Sequence, residues 1–197
     1  MKLARLGDAL DHWKGSLIEL IGDKRLRVVP MLTDRDRWTQ QHFETYARLL
    51  HRKPEDVLKK EKGALFSKRT RHGYFCDLEE HDLFLDPDTG IASDKKAQKE
   101  HVSFSEIARL LSESRSRMLL IYQHASREKD GLREKLNLLR STEGLRGCDI
   151  FAYDSGAVSM VVISQNRGRS DKALARLKCW LGPVAATRII ETPTSQG

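Results

Sequence analysis

The 197-residue sequence predicts an α/β fold, a three-layer sandwich with helices on both faces of a mainly parallel sheet. Three observations lead there. Apolar runs of strand length alternate with stretches of helical periodicity, the pattern of parallel sheets joined by helical crossovers. The run Leu83-Phe84-Leu85 ends in Asp86-Pro87-Asp88, and acids at a strand's carboxyl end lie where open α/β sheets bind ligands. Two late apolar runs are joined by Asp154-Ser155-Gly156, a hairpin signal that adds an antiparallel strand.

Residues 3 to 21 carry Leu3, Leu6, Leu10, Trp13, Leu17, Leu20 and Ile21 at helical spacing, with Trp13 on the apolar stripe. Leu26 to Leu32 reads as the first strand, with Pro30 marking an edge or an early end. Helical periodicity returns over 39 to 51, and Pro54 opens a short helix to about Lys60. Asp94 to His101 reads as a polar loop, and Ser103 with Glu106 forms a capping box before the helix Phe104 to Leu111. Arg117 to Tyr122 is a strand, followed by a helix from Leu132 to Leu139. Asp149 to Tyr153 and Ala157 to Ile163 form the hairpin strands. A helix from Lys172 to Leu181 stops at Gly182-Pro183, and Thr187 to Ile190 is a final strand. One domain over 1–191 and a flexible tail over 192–197 complete the reading.

The chain is 39% hydrophobic and 32% charged, the balance of a globular domain, and contains no apolar stretch long enough to span a bilayer. Three cysteines without CxxC spacing argue against a zinc site and for reduced thiols, hence a cytoplasmic protein. A net charge of +7 favours a polyanionic partner, RNA or DNA. Its expected face is the tract Lys59, Lys60, Lys62, Lys68, Arg69 and Arg71, interleaved with Phe66, Tyr74 and Phe75 and extended by Lys95, Lys96 and Lys99. Cations beside aromatic rings suit phosphate contact with base stacking, although such runs also serve as plain solvated surface.

Asp34, Asp86, Asp88 and His124 all end strands, and Asp8, Asp11 and Lys14 lie on the first helix where they can overhang the same edge. Clustered carboxylates with a Lys and a His suit Mg²⁺-assisted phosphodiester hydrolysis, with Asp34, Asp86 and Asp88 as ligands and His124 moving a proton. The plainer alternatives are a turn at Asp86 and a surface ion pair between Asp11 and Lys14.

The element order resembles the Rossmann-like fold of class I S-adenosylmethionine-dependent methyltransferases, with the hairpin over Cys148 to Gln165 as its last strands. Gly7-Asp8-Ala9-Leu10-Asp11-His12-Trp13-Lys14 is similar to the opening helix of bacterial 23S rRNA adenine-N6 methyltransferases. The resemblance implies S-adenosylmethionine as cofactor, with Lys14 on its carboxylate and Asp11 and Asp34 nearby. Asp86 matches the Asp of that family's Asp-Pro-Pro-Tyr, which holds the target amino group, adenine being the implied target. The chain departs from the pattern at Asp88-Thr89, where the family has Pro-Tyr, and at 31–38, which contain no glycine. Phe84-Leu85-Asp86-Pro87-Asp88-Thr89-Gly90-Ile91 is also similar to short bacterial proteins of unknown function. A metal-dependent nuclease and a non-catalytic nucleic-acid-binding protein on the same scaffold are the competing readings.

Overall fold

A computed structural model describes residues 1–33, 37–59, 71, 73–75, 78, 81–125 and 130–192. Its main sheet joins β1 (Arg27–Pro30), β2 (Leu83–Asp86), β5 (Met118–His124), β6 (Asp149–Asp154), β7 (Val158–Ser164) and β8 (Ile189–Glu191) in the order β1-β2-β5-β7-β6-β8. β1, β2 and β5 pair in parallel, whereas β7 is antiparallel to both β5 and β6, and β8 is antiparallel to β6. The sheet is therefore mixed, with β7 and β8 opposing the rest, where one antiparallel strand was expected.

The helices that lie wholly within the described residues are α1 (Ala9–Ile21), α2 (Gln40–Leu49), α3 (Phe104–Glu113), α4 (Gly131–Ser141) and α5 (Arg167–Ala185). Successive strand residues enter two different cores, as the two-residue repeat of a strand requires. Val29, Leu83, Leu85, Leu119, Ile121 and Ile163 pack with Ile107 and Leu110 of α3 and Leu132 and Leu136 of α4. Val28, Phe84, Leu120, Tyr122 and Val162 pack with Leu17 and Ile18 of α1, Tyr46 and Ala47 of α2, and Leu177 of α5. β2 is buried along its whole length, which explains its unbroken apolar run before Asp86.

The polar loop expected over Asp94 to His101 holds as far as Glu100 and connects the strands of a second, two-stranded parallel sheet, β3 (Gly90–Ala92) with β4 (His101–Ser103). Gly90 makes this sheet possible. Its φ is +121°, and a Cβ there would stand 2.4 Å from the Gln123 side chain. The helix expected from Pro54 to Lys60 shrinks to a 3-10 turn over Pro54–Asp56, because Val57 then bridges to Val28 alongside β1. Thr192, expected in the tail, is buried and donates its hydroxyl to Ile150 O at 2.8 Å. Residues 193–197 lie outside the described residues.

α1 and α2 meet at Gly15, where a Cβ would lie 2.3 Å from Leu49 O, a main-chain atom that cannot turn aside. Gly15→Ala is expected to destabilise the fold by about 1–3 kcal/mol through overpacking. That loss outweighs the ~1 kcal/mol Ala gains in helix propensity. Urea unfolding checks it, and a variant as stable as the wild type would mean that the two helices separate freely.

Candidate ligand cleft at the Asp86 strand end

The Gly7-to-Lys14 motif has a local explanation before it has a functional one. Gly7 takes φ +87°, a conformation that admits the turn into α1. Asp8 is the N-cap of α1, and its Oδ1 accepts the Leu10 N–H at 2.9 Å. Asp11 Oδ2 accepts the Gly7 N–H at 2.8 Å, while its Oδ1 faces Lys14 Nζ, one helical turn on, at 3.1 Å.

Lys14 then reaches the sheet. Its Nζ lies 3.0 Å from Asp86 Oδ2 and 4.4 Å from the centre of the Tyr122 ring. Tyr46, on the inward face of α2, donates its hydroxyl to the same Asp86 oxygen. Asp11, Lys14, Tyr46 and Asp86 are all buried, so an ion-paired cluster of one cation and two acids closes the floor of the site. Burial pulls the Lys14 ammonium down, but the facing Asp86 and Asp11 outweigh it and hold Lys14 above its ordinary value. Burial raises Asp11 despite Lys14 and the Gly7 N–H beside it. Tyr46 is raised by burial and then by Asp86, so it stays a hydrogen-bond donor.

Above this floor opens a cleft of about 270 Å³, lined among others by Lys2, Arg5, Asp8, Asp88, Thr89, Glu100, Tyr122 and His124. Asp88 is partly buried, pairing with the Met1 ammonium at 2.9 Å and accepting the Thr33 hydroxyl. His124 lies at the cleft mouth, its ring partly covered by Tyr122, which it meets edge-to-face at 5.0 Å. Enclosure by the cleft walls, then Lys14, holds its imidazole below the ordinary value and therefore neutral near pH 7. Five carboxylates in this lining stand with Lys2, Arg5, Lys14 and the Met1 ammonium, so the cleft is close to charge balance and suits a ligand that carries both signs.

Of the residues expected at this site, the structure brings together Asp11, Lys14, Asp86, Asp88 and His124, while Asp34 lies outside the described residues. Lys14 does not stand free for a ligand carboxylate, because its ammonium already serves two carboxylates. Asp86 and Asp88 likewise have separate partners, and among the described residues no three His, Cys, Asp or Glu side chains are grouped to hold a metal ion. Tyr46, Thr33 and Tyr122 were not singled out from sequence. Tyr46 had one signal, a hydroxyl-bearing residue on the apolar stripe with Phe43 and Ala47.

The expected polyanion face divides. Lys60, Lys62, Lys68 and Arg69 lie outside the described residues. Lys59 donates to Gln40 Oε1 at 2.8 Å and lines a different cleft, with Arg27, Glu55 and His81. Arg71 clasps both Glu106 oxygens and the carbonyls of Lys99 and His101, so it joins α3 to β4 rather than standing open to a phosphate. Lys95, Lys96 and Lys99 are exposed between β3 and β4, Lys99 with Glu100 at 3.9 Å. No helix of the described residues is long and apolar enough to cross a membrane. No family model, curated protein or solved structure matches the chain, so its function rests on the chemistry of this cleft.

Proposed function

We propose that the chain is a nucleic-acid-modifying enzyme on a divergent, Rossmann-like methyltransferase scaffold, with the Asp86 cleft as its ligand site. The observation that carries this reading is the contact between Lys14 and Asp86. These residues are 72 positions apart and were assigned to one site by two unrelated motifs, and they meet at 3.0 Å at the carboxyl edge of β2. The two cores, each lined by helices, support the three-layer arrangement, and β7 between β5 and β6 supports the C-terminal hairpin.

S-adenosylmethionine fits this lining through its cations. Its ammonium and sulfonium would suit Asp8 and Glu100, since Asp88 already pairs with the Met1 ammonium, and its carboxylate would find Lys2 or Arg5, both in the cleft wall, rather than the engaged Lys14. When bound, the cofactor supplies an activated methyl group. Asp86 holds Lys14 and Tyr46 on Oδ2, and neither donor uses Oδ1, the oxygen left to accept from a target amino group. His124, neutral and beside Asp88 in the cleft wall, is placed to accept a proton.

Calorimetry with S-adenosylmethionine is the test. Binding should be measurable in the wild type and weaken about tenfold in Glu100→Gln, the loss expected for one charge-assisted hydrogen bond. A folded protein giving no heat would remove the methyltransferase reading. The burial of the Asp86 side chain favours one second reading, a non-catalytic nucleic-acid-binding protein, which predicts oligonucleotide binding without cofactor binding.

A further inference from the structure

α5 climbs one face of the sheet from edge to edge. β7 ends at Ser164 opposite Met118, the first residue of β5, so α5 starts at the amino edge. Beyond α5 the chain reaches Ile189 opposite Tyr153, near the end of β6, which runs parallel to β5 because both oppose β7. The far end of α5 therefore lies at the carboxyl edge, the one where the Asp86 cleft opens.

The inward side of α5 packs into the core, with Ala173 and Leu177 buried and Leu174 and Leu181 half-buried. The outward side carries Lys172, Arg176 and Trp180, all exposed and four residues apart. Residues at that spacing stand one above the other on a helix, about 6 Å apart along its axis. The helix is regular up to its break at Gly182, so the three side chains form one line. The acids of α5 and β8 face other cations, Asp171 facing Arg167 at 3.9 Å and Glu191 facing Lys178 at 2.5 Å. Trp180, at the carboxyl-edge end of the line, is 56% exposed, and Val184 stands in water just past the break. A large ring left in water beside cations marks a surface built for contact. Ammonium and guanidinium groups in line suit successive phosphates, and an indole face suits a base. A second copy would bring the same cations against these, whereas a polyanion neutralises them.

We propose that the Lys172-Arg176-Trp180 line of α5 is a docking surface for single-stranded nucleic acid, with phosphates on the two cations and a base stacked on the indole. This rests on the nucleic-acid reading above and adds to it a surface outside the basic tract expected from sequence. Leu and Ala separate these cations along the chain, so no basic run announces them, and only the helix brings them into line. A strand laid along α5 is led towards the edge that holds the Asp86 cleft.

Fluorescence anisotropy with a short labelled single-stranded oligonucleotide, titrated across salt concentrations, tests it. Lys172→Gln and Arg176→Gln should each weaken binding and make the slope of log K against log[salt] shallower by about 0.7, one lost phosphate contact on a single strand. Trp180→Ala should weaken binding roughly tenfold and leave the slope unchanged, the loss of one stacked base, and Trp180→Phe should recover part of that loss. A merely solvated face predicts no change in any of these variants. All three side chains are exposed, so circular dichroism should show each variant folded. A wild type that binds while the variants match it in affinity and slope overturns the surface and leaves the reading of the Asp86 cleft standing. A wild type that binds no oligonucleotide overturns both. Sedimentation of the protein alone is the second measurement. A dimer dispersed by Trp180→Ala, with oligonucleotide affinity unchanged, would assign the indole to self-association and overturn the surface. The cofactor titration is read separately, so absent S-adenosylmethionine binding leaves a stripe-dependent salt slope intact.

Discussion

Lys14→Met is expected to destabilise the protein by about 3–5 kcal/mol at neutral pH, the cost of stranding buried charges by removing their partner. Lys14 is the cation shared by Asp11 and Asp86, and all three are buried. Methionine refills the volume of the lysine stem, so the loss reports charge rather than a cavity. Lys14→Met combined with Asp86→Asn should recover much of the loss, since Asn keeps an acceptor for the Tyr46 hydroxyl and removes one stranded carboxylate. The pH dependence separates this account from a packing defect. Lys14 is raised above its ordinary value of 10.5, so its contribution is complete below about that pH and disappears as pH climbs through the higher folded value. The wild type should therefore lose stability in strong alkali, and Lys14→Met should lack that loss. Asp11, already raised with Lys14 present, rises further without it. A carboxyl that binds its proton more tightly when folded contributes most at low pH and less as pH rises. The gap between variant and wild type should therefore narrow on acidification. Urea midpoints across pH check both limbs, and a gap constant from acid to alkali would refute the electrostatic account.

What sequence could reveal of this fold followed from how local each signal is. β2 was readable at its observed bounds because three buried apolar residues end against Asp86-Pro87, and the cap of α3 because Ser103 and Glu106 satisfy each other's backbone N–H groups within one turn. β3 and β4 escaped because each has three residues and exists only through the other, a pairing that no periodicity announces. α5 was expected from Lys172 to Leu181. It begins earlier, at Arg167, behind an Asn166 cap and a first turn too polar to show periodicity. It breaks at Gly182, as expected, where φ is +68°, and Pro183 starts a short further turn to Ala185 with the φ it already prefers. The cleft divides in the same way. Asp11 and Lys14 share a helical face by spacing, and Asp86 ends its own strand. The partners Tyr46, Thr33 and Gln123 arrive from distant segments and could be placed only by the assembled sheet.

Asp82→Ala should cost about 2–4 kcal/mol, because it leaves a buried N–H unsatisfied and breaks a largely buried ion pair. Asp82 precedes β2 and is buried at the sheet's amino edge, opposite the Asp86 cleft. Its Oδ1 accepts the Met118 N–H at 2.8 Å, which sets the start of β5, and Arg169 Nη1 at 2.9 Å, while Oδ2 pairs with Arg169 Nη2. Its carbonyl takes the Arg27 N–H at 2.8 Å, so one residue ties β1, β2, β5 and the first turn of α5 together. Arg169 is 30% exposed and also has Asp23 at 3.6 Å, so it can find water and a second acid. The larger part of the loss therefore belongs to the Met118 N–H, which has no route to solvent. Asp82→Asn separates the parts, since its amide oxygen still serves Met118. It should cost clearly less than Ala, whereas Arg169→Ala, which strands the buried Asp82 carboxylate, should cost more than Asn. Denaturant midpoints at constant slope give these differences directly. An Asn variant as damaged as Ala would assign the stabilisation to the ion pair instead. β2 is only four residues long, so the anchor at Asp82 also fixes the position of Asp86 at its other end. Asp82→Ala should therefore weaken ligand binding at the Asp86 cleft under conditions where the variant remains fully folded.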